Sequence, residues 1–355
     1  MRSTIVALVS VVGLCAAVPA MAVDAYVELV PWSVINNGAS TSHFAQVVEG
    51  QASYHNLNLG GGGGIVRVDN LDGVQTMTEL VTPLQWSTAN LGVTANMSAY
   101  YGFSISGDYL QFAETGTDAI WRVNKSTGAI TEYVSKATID TYIGGTGPSL
   151  LSPFDTHPIS GEMVFYEGDI DSLLITTGVD GLADFITAAQ LTAAVGNASV
   201  SGGIGFASDG TLYWGSSTSD DMWKLPFGGN PDTDITQVLS TADITAVTGG
   251  TAYGPKDIFC APDGWVYMGD SSSGSILRFD PADPPNTLET FLTSQQLADG
   301  PAATSNVITF GWYDAGGGGA LTFNRFNDYG LYWVPEPASA LLLSLGGLAL
   351  LRRRR

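Results

Sequence analysis

Along most of the chain, apolar residues come in runs of four to six, and turn-forming residues separate one run from the next. The clearest stretch begins at Gly254-Pro255-Lys256-Asp257 and enters the apolar run Ile258-Phe259-Cys260-Ala261. Pro262-Asp263-Gly264 ends that run, Trp265-Val266-Tyr267-Met268 follows, and Ser271 to Gly274 breaks the chain again. Ser275-Ile276-Leu277-Arg278-Phe279-Asp280 and a last element from Thr287 to Leu292 complete the stretch. Runs this short, bounded by Pro-Asp-Gly, Ser-rich and Asp-Pro chemistry, predict four strands joined by tight turns. Trp265-Val266-Tyr267-Met268 is apolar at every position, whereas a sheet half exposed to water would alternate. These strands are therefore expected to be covered on both faces.

The same order recurs. Ser208-Asp209-Gly210 precedes Thr211-Leu212-Tyr213-Trp214, with Met222-Trp223-Lys224-Leu225 and Ile235 to Leu239 behind it. Gly107 precedes Tyr109 to Phe112, then Ala119 to Val123 and Ile130 to Val134; Ser160-Gly161 precedes Met163 to Tyr166, then Leu173-Leu174-Ile175. Near the front, Gly64 to Asp69 reads as the same third strand. The turn glycines at 107, 161, 210 and 264 lie 54, 49 and 54 residues apart. A basic residue recurs in the third strand at Arg67, Arg122, Lys224 and Arg278, with Leu174 in its place once.

Four strands per unit, at a period of about 52, describe a propeller blade. We expect an all-β fold, a six-bladed β-propeller over residues 23–333, although seven blades or a related all-β ring fit the same spacing. Gly319 to Asn324 and Gly330 to Trp333 belong to the last blade, and Tyr26-Val27-Glu28-Leu29-Val30 is expected to pair with it and close the ring. The blade entry Gly254-Pro255-Lys256-Asp257-Ile258, the Pro-Asp-Gly turn and Ile276-Leu277-Arg278-Phe279-Asp280 resemble blades of the NHL and gluconolactonase-like propellers.

The two ends read differently. Arg2, an apolar stretch from Ile5 to Val18 and the small residues of Ala20-Met21-Ala22 form a cleavable export signal over residues 1–22, with Ala22 the favoured cleavage site and Ala20 the second. At the other end, residues 334–355 carry Pro335-Glu336-Pro337, an apolar run from Ala338 to Leu351 and the basic stop Arg352-Arg353-Arg354-Arg355. Fourteen helical residues span roughly 21 Å, short of a ~30 Å hydrocarbon core, so the run suits a brief stop in the membrane better than a permanent anchor. This order of elements resembles the PEP-CTERM sorting signal. The resemblance implies processing by signal peptidase and an exosortase near Pro335 to Pro337, transient membrane contact and a final place in the cell envelope or matrix. Extracellular polysaccharide is the remaining partner it suggests.

Composition narrows the function. Charged residues make up only 13% of the chain. Without the two ends, eight basic residues face 33 carboxylates, a body near −25. Nucleic acid and anionic lipid are poor partners for that surface. Cys260 alone remains outside the signal, so no internal disulfide is available, and its apolar neighbours make it a buried strand residue rather than a nucleophile.

No motif for nucleophilic or zinc chemistry is present. His43, His55 and His157 share no ligand spacing, and no Gly-x-Ser-x-Gly elbow occurs. Asp155 and Asp257 stand at equivalent blade entries, positions that face the axis of a propeller. The gluconolactonase-like resemblance implies that oxygen ligands there hold Ca²⁺ or a similar hard cation. Asp169, Asp171, Asp220 and Asp221 read as loop acids, and Trp121, Trp214, Trp223 and Trp265 as blade core. We therefore expect no catalytic, cofactor or metal residue, and a non-catalytic binding or structural module. A metal-dependent hydrolase or lyase and a calcium-stabilised adhesin are the alternatives.

Overall fold

The computed structural model describes residues 26–36, 43–58, 63–89, 102–114, 117–145, 151–200, 202–216, 218–249, 254–299, 307–314, 319–325 and 328–334. Six four-stranded antiparallel sheets are arranged as the six blades of a propeller. The innermost strands of blades 1 to 6 are His43–Glu49, Ser104–Ser106, Leu151–Thr156, Ile204–Phe206, Pro255–Cys260 and Val307–Asp314.

The runs apolar at every position are sandwiched between neighbouring blades. In the second strand of blade 3, Met163 and Phe165 join Phe112 and Leu110 of blade 2, while Val164 and Tyr166 join Leu212 and Trp214 of blade 4. Blade 5 repeats the arrangement: Val266 and Met268 pack with Met222 of blade 4, and Tyr267 packs with Phe310 and Phe323 of blade 6. Successive side chains point to opposite faces of a strand, and here both faces are dry.

Blade 6 is built from both ends of the described chain. Its sheet takes three strands, Val307–Asp314, Gly319–Arg325 and Asp328–Trp333, and the N-terminal strand Val27–Val30 becomes its outermost member. Tyr26 fastens the join. It is fully buried, meets Phe323 and Tyr332 edge-on at 5.2 and 5.3 Å, and its hydroxyl donates to the Leu297 carbonyl at 2.7 Å.

The recurring basic residue has a packing role. Arg122 lies over the Tyr133 ring with its guanidinium carbon 3.3 Å from the centroid. Arg278 lies between Trp265 and Phe291 at 4.4 and 4.5 Å. Arg67 covers Tyr54 at 5.7 Å. Each cation shields aromatic faces on the second or fourth strand of its own blade, a contact worth about 0.5–2 kcal/mol.

Short helices depart from the all-strand expectation. Pro83–Ala89, Lys136–Ile143, Ala188–Val195, Thr241–Thr248 and Ser294–Asp299 each follow the outermost strand of blades 1 to 5. The cause is a local motif. Thr82/Gln85, Thr187/Gln190, Ser240/Asp243 and Thr293/Gln296 make reciprocal capping boxes, and Ser135 caps Lys136–Ile143 through Thr138. Gly144, Gly196 and Gly249 end three of them in the left-handed region.

No helix among the described residues is long and apolar enough to cross a membrane. The signal and the sorting tail, with Ala20, Ala22, Pro335 to Pro337 and Arg352 to Arg355, lie outside the described residues.

Replacing Tyr26 with Ala should cost about 3–5 kcal/mol, as for other buried aromatic truncations. Chemical denaturation followed by tryptophan fluorescence measures this, and an unchanged midpoint would show that the N-terminal strand does not hold the ring shut.

Candidate active site

Each innermost strand is the free edge of its sheet, so its outward N–H and C=O groups meet the ring axis instead of a partner strand. Such groups need acceptors where water is scarce. Two aspartates supply them across the gap between blades. Asp155 in blade 3 accepts from Phe206 N of blade 4 at 3.0 Å, and its other oxygen accepts from Thr156 N at 2.7 Å. Asp257 in blade 5 repeats the contact, accepting from Phe310 N of blade 6 at 2.9 Å and from Ile258 N at 3.0 Å. The close fit of the intervening blade is set by Gly203. A Cβ there would sit 2.6 Å from the Asp257 Cα, and its φ of +68° already favours glycine.

Both carboxyls open onto one axial pocket of about 330 Å³, lined also by Gln46, Ser104, Thr156, His157 and Thr309. Both aspartates are half-buried, with access to solvent through the pocket. Burial dominates their ionisation. The Asp155 carboxyl is pushed up to about 6, held back by its two backbone N–H donors. Burial pushes Asp257 further, to about 8, with the Asp155 charge adding to the rise against the same kind of backbone bonds. At neutral pH the pocket thus holds one charged and one protonated carboxyl.

Other polar groups are fixed around them. Arg122 Nε donates to the Gln111 side-chain oxygen at 3.0 Å, Gln111 Nε2 donates to Thr156 Oγ1 at 3.2 Å, and Thr156 Oγ1 donates to Ser104 Oγ at 2.7 Å. Gln46, from blade 1, differs: it is buried, and neither amide atom has a hydrogen-bond partner among the described residues. An amide left unsatisfied in the interior costs about 1–3 kcal/mol, which a bound polar group would recover.

Asp155 and Asp257 were legible from their place at equivalent blade entries. Gln46 was not, because nothing in its neighbourhood repeats. His157 sits at the pocket mouth with Nδ1 accepting from Ser160 N at 3.2 Å, while burial lowers its basicity. His55 is buried in blade 1, with Nε2 2.7 Å from Ser53 Oγ, and is not among the residues that line the axial pocket. Cys260 lines the axial pocket, and burial together with the Asp155 charge raises its thiol well above the usual range. It is a poor nucleophile. Asp171 and Asp220 occupy left-handed turn positions, as expected of loop acids. Trp121 and Trp214 are core, whereas Trp223 and Trp265 are only half-buried.

A calcium centre does not fit this pocket. Ca²⁺ takes six to eight oxygen ligands. Among the described residues no three of His, Cys, Asp and Glu converge, and Asp155 and Asp257 each already accept two backbone N–H groups. The hard cation expected from the resemblance therefore lacks a carboxylate ligand set at this position among the described residues.

With the ring and its pocket described, comparison with known proteins becomes informative. The strictosidine synthase-like, N-terminal family model matches residues 239–279, from the end of blade 4 through the third strand of blade 5. No curated protein matches the chain. Among solved structures, a gluconolactonase from Xanthomonas campestris is 14% identical with a TM-score of 0.51, over 87% of this chain and 89% of that one. A catalytically inactive virginiamycin B lyase from Staphylococcus aureus, with quinupristin, is 16% identical with a TM-score of 0.50, over 88% of each chain. A luciferin-regenerating enzyme is 11% identical with a TM-score of 0.52, over 86% and 94%.

The shared feature is the ring. At these identities the likeness establishes the propeller fold. It also turns against our expectation of a non-catalytic module and of no enzyme, since the three similar rings just named are enzymes. That expectation rested on finding no catalytic constellation in the sequence. Asp155 and Asp257, 102 positions apart in the chain, line one pocket only after the blades close, a juxtaposition that no local sequence pattern displays.

The raised carboxyls give a pH signature. An unfolded Asp titrates near 3.9. Because the folded values lie above this, the contribution to stability is full below about pH 4 and is lost as pH rises through about 6 for Asp155 and about 8 for Asp257. The melting temperature should fall steadily from pH 5 to 9, and Asp257→Asn should flatten the fall above pH 6. Calorimetry across that range decides the matter; parallel curves for both proteins would show Asp257 to be ordinary.

Proposed function

We propose that the chain is an enzyme that cleaves an ester or lactone bond by acid–base catalysis in the axial pocket. One observation carries the reading: two carboxyls facing the same cavity, with ionisation pushed up to about 6 and about 8. Pairs of acids separated in this way are the usual mark of a base and an acid working together near neutral pH. Asp155, charged, takes a proton from water as the water oxygen attacks the substrate carbonyl. Asp257, protonated, gives its proton to the alkoxide oxygen as the C–O bond breaks. One water is consumed, an acid and an alcohol are formed, and proton exchange with solvent restores both residues. The backbone N–H groups that hold each carboxyl fix its orientation through the cycle. The Gln46 amide is placed to bind a polar substituent of the substrate.

The two ends bear on the proposed location. The signal-like residues up to Ala22 and the Pro335-Glu336-Pro337 tail with its four terminal arginines support export, sorting by an exosortase-type enzyme and activity in the envelope or matrix, beside extracellular polysaccharide.

Purified protein should hydrolyse lactones with a rate that rises through about pH 6 and declines beyond about pH 8. Asp155→Asn and Asp257→Asn should each lower kcat at least 100-fold with the circular dichroism spectrum unchanged. Full activity in both variants would exclude the mechanism. For the location, intact-mass measurement on protein recovered from outside the cell should find a start at Val23 and an end before Ala338; an intact Arg355 would refute sorting.

A further inference from the structure

A second cavity adjoins the axial pocket, and its character is opposite. About 300 Å³ in volume, it is walled by Phe185, Leu225, Pro226, Phe227 and Pro231 and shares His157 with the axial pocket. The shared imidazole is a partition between the two. Its ring centre lies 5.0 Å from that of Phe206 on the axial side, and 5.5 and 6.5 Å from those of Phe227 and Phe185 on the other.

The apolar side opens to solvent. Phe227 is 55% exposed and Ile159, its neighbour from the adjacent blade, is 57% exposed. They meet above Gly210, where a Cβ would come 2.8 Å from the Phe227 ring and 3.2 Å from the Ile159 side chain. Glycine at φ +87° is thus what admits both. Leu225 and Phe185 tie the cavity wall to the core between blades 3 and 4, whereas Phe227 and Ile159 belong to no core cluster, so blade packing does not account for those two. Large side chains left in water beside a catalytic-type pocket mark a binding surface.

We propose that this cavity receives an apolar arm, a ring or short alkyl chain, of a substrate whose ester or lactone head lies in the axial pocket. The inference rests on the catalytic reading above and adds the class of substrate. His157 joins the two halves. Its Nδ1 accepts from the Ser160 N–H and lies 3.3 Å from Ser160 Oγ, which places the ring proton on Nε2. That Nε2–H has no hydrogen-bond partner among the described residues, and it would donate to an oxygen of the bound head group at the junction. The arm selects the substrate by area removed from water, and the acids act on the head.

The test compares γ-butyrolactone with a γ-lactone carrying a six-carbon tail. The tailed substrate should show at least tenfold higher kcat/KM, and Phe227→Ala and Ile159→Ala should each reduce that preference at least threefold. Leu84→Ala, an exposed residue on the helix after blade 1, should not. Cleavage with no preference for the tail, or a preference untouched by both cavity variants, would overturn the proposal. Should neither lactone be cleaved, the catalytic reading fails instead. The cavity is then judged by calorimetric binding of 4-hexylphenol: binding weakened at least fivefold by Phe227→Ala supports an apolar-ligand site, and binding that is absent or unaffected rejects it.

Discussion

Six sheets meeting at an axis leave six inner edges without a partner strand, and the other features of the site follow from how those edges are satisfied. Each innermost strand has spent one side of its backbone on the blade behind it. The other side faces the axis, where a bare N–H group costs about 1–3 kcal/mol. Asp155 and Asp257 meet the need at Phe206 and Phe310 by reaching from one blade to the next. They are ties before they are anything else.

A tie made of carboxylate carries a charge that a neutral acceptor would not. A serine or asparagine would satisfy an N–H without carrying a charge into the interior. The use of aspartate brings burial against ionisation, and burial wins by a larger margin at Asp257 because Asp155 is charged nearby. The same contacts that hold neighbouring blades together therefore hold a proton near neutral pH and aim it into a cavity. Structural and chemical roles are not alternatives here. The orientation that the proposed general acid would need is already provided by the edge it satisfies.

Much of the ring was legible in the sequence, for a physical reason: a blade buried on both faces leaves runs that are apolar at every position, and Met163 to Tyr166 show the alternation between two cores that this pattern encodes. The N-terminal strand was legible because a ring with an open blade exposes an edge. The helices were missed although their signal was present. Capping residues at 82, 135, 187, 240 and 293 recur at intervals of 52 or 53, a more regular period than the turn glycines. They were overlooked because an eight-residue helix carries little hydrophobic periodicity, and its caps are polar residues that also suit loops. The site was half legible. Equivalent blade entries picked out Asp155 and Asp257, but only closure of the ring brings them to one pocket. The unsatisfied Gln46 amide and the cavity behind His157 arise from packing between blades, which no local pattern records.

The participation of the first strand in the last blade has a consequence in time. Tyr26 and the carbonyl it bonds are 271 residues apart, so the contact cannot form until nearly the whole chain is available. Blades 1 to 5 can assemble in order as they emerge, but the leading strand must wait, extended and unpaired, for the trailing three. A chain threaded outward across a membrane from its leading end would remain an open arc, easily drawn through, until the final blade arrived and locked it.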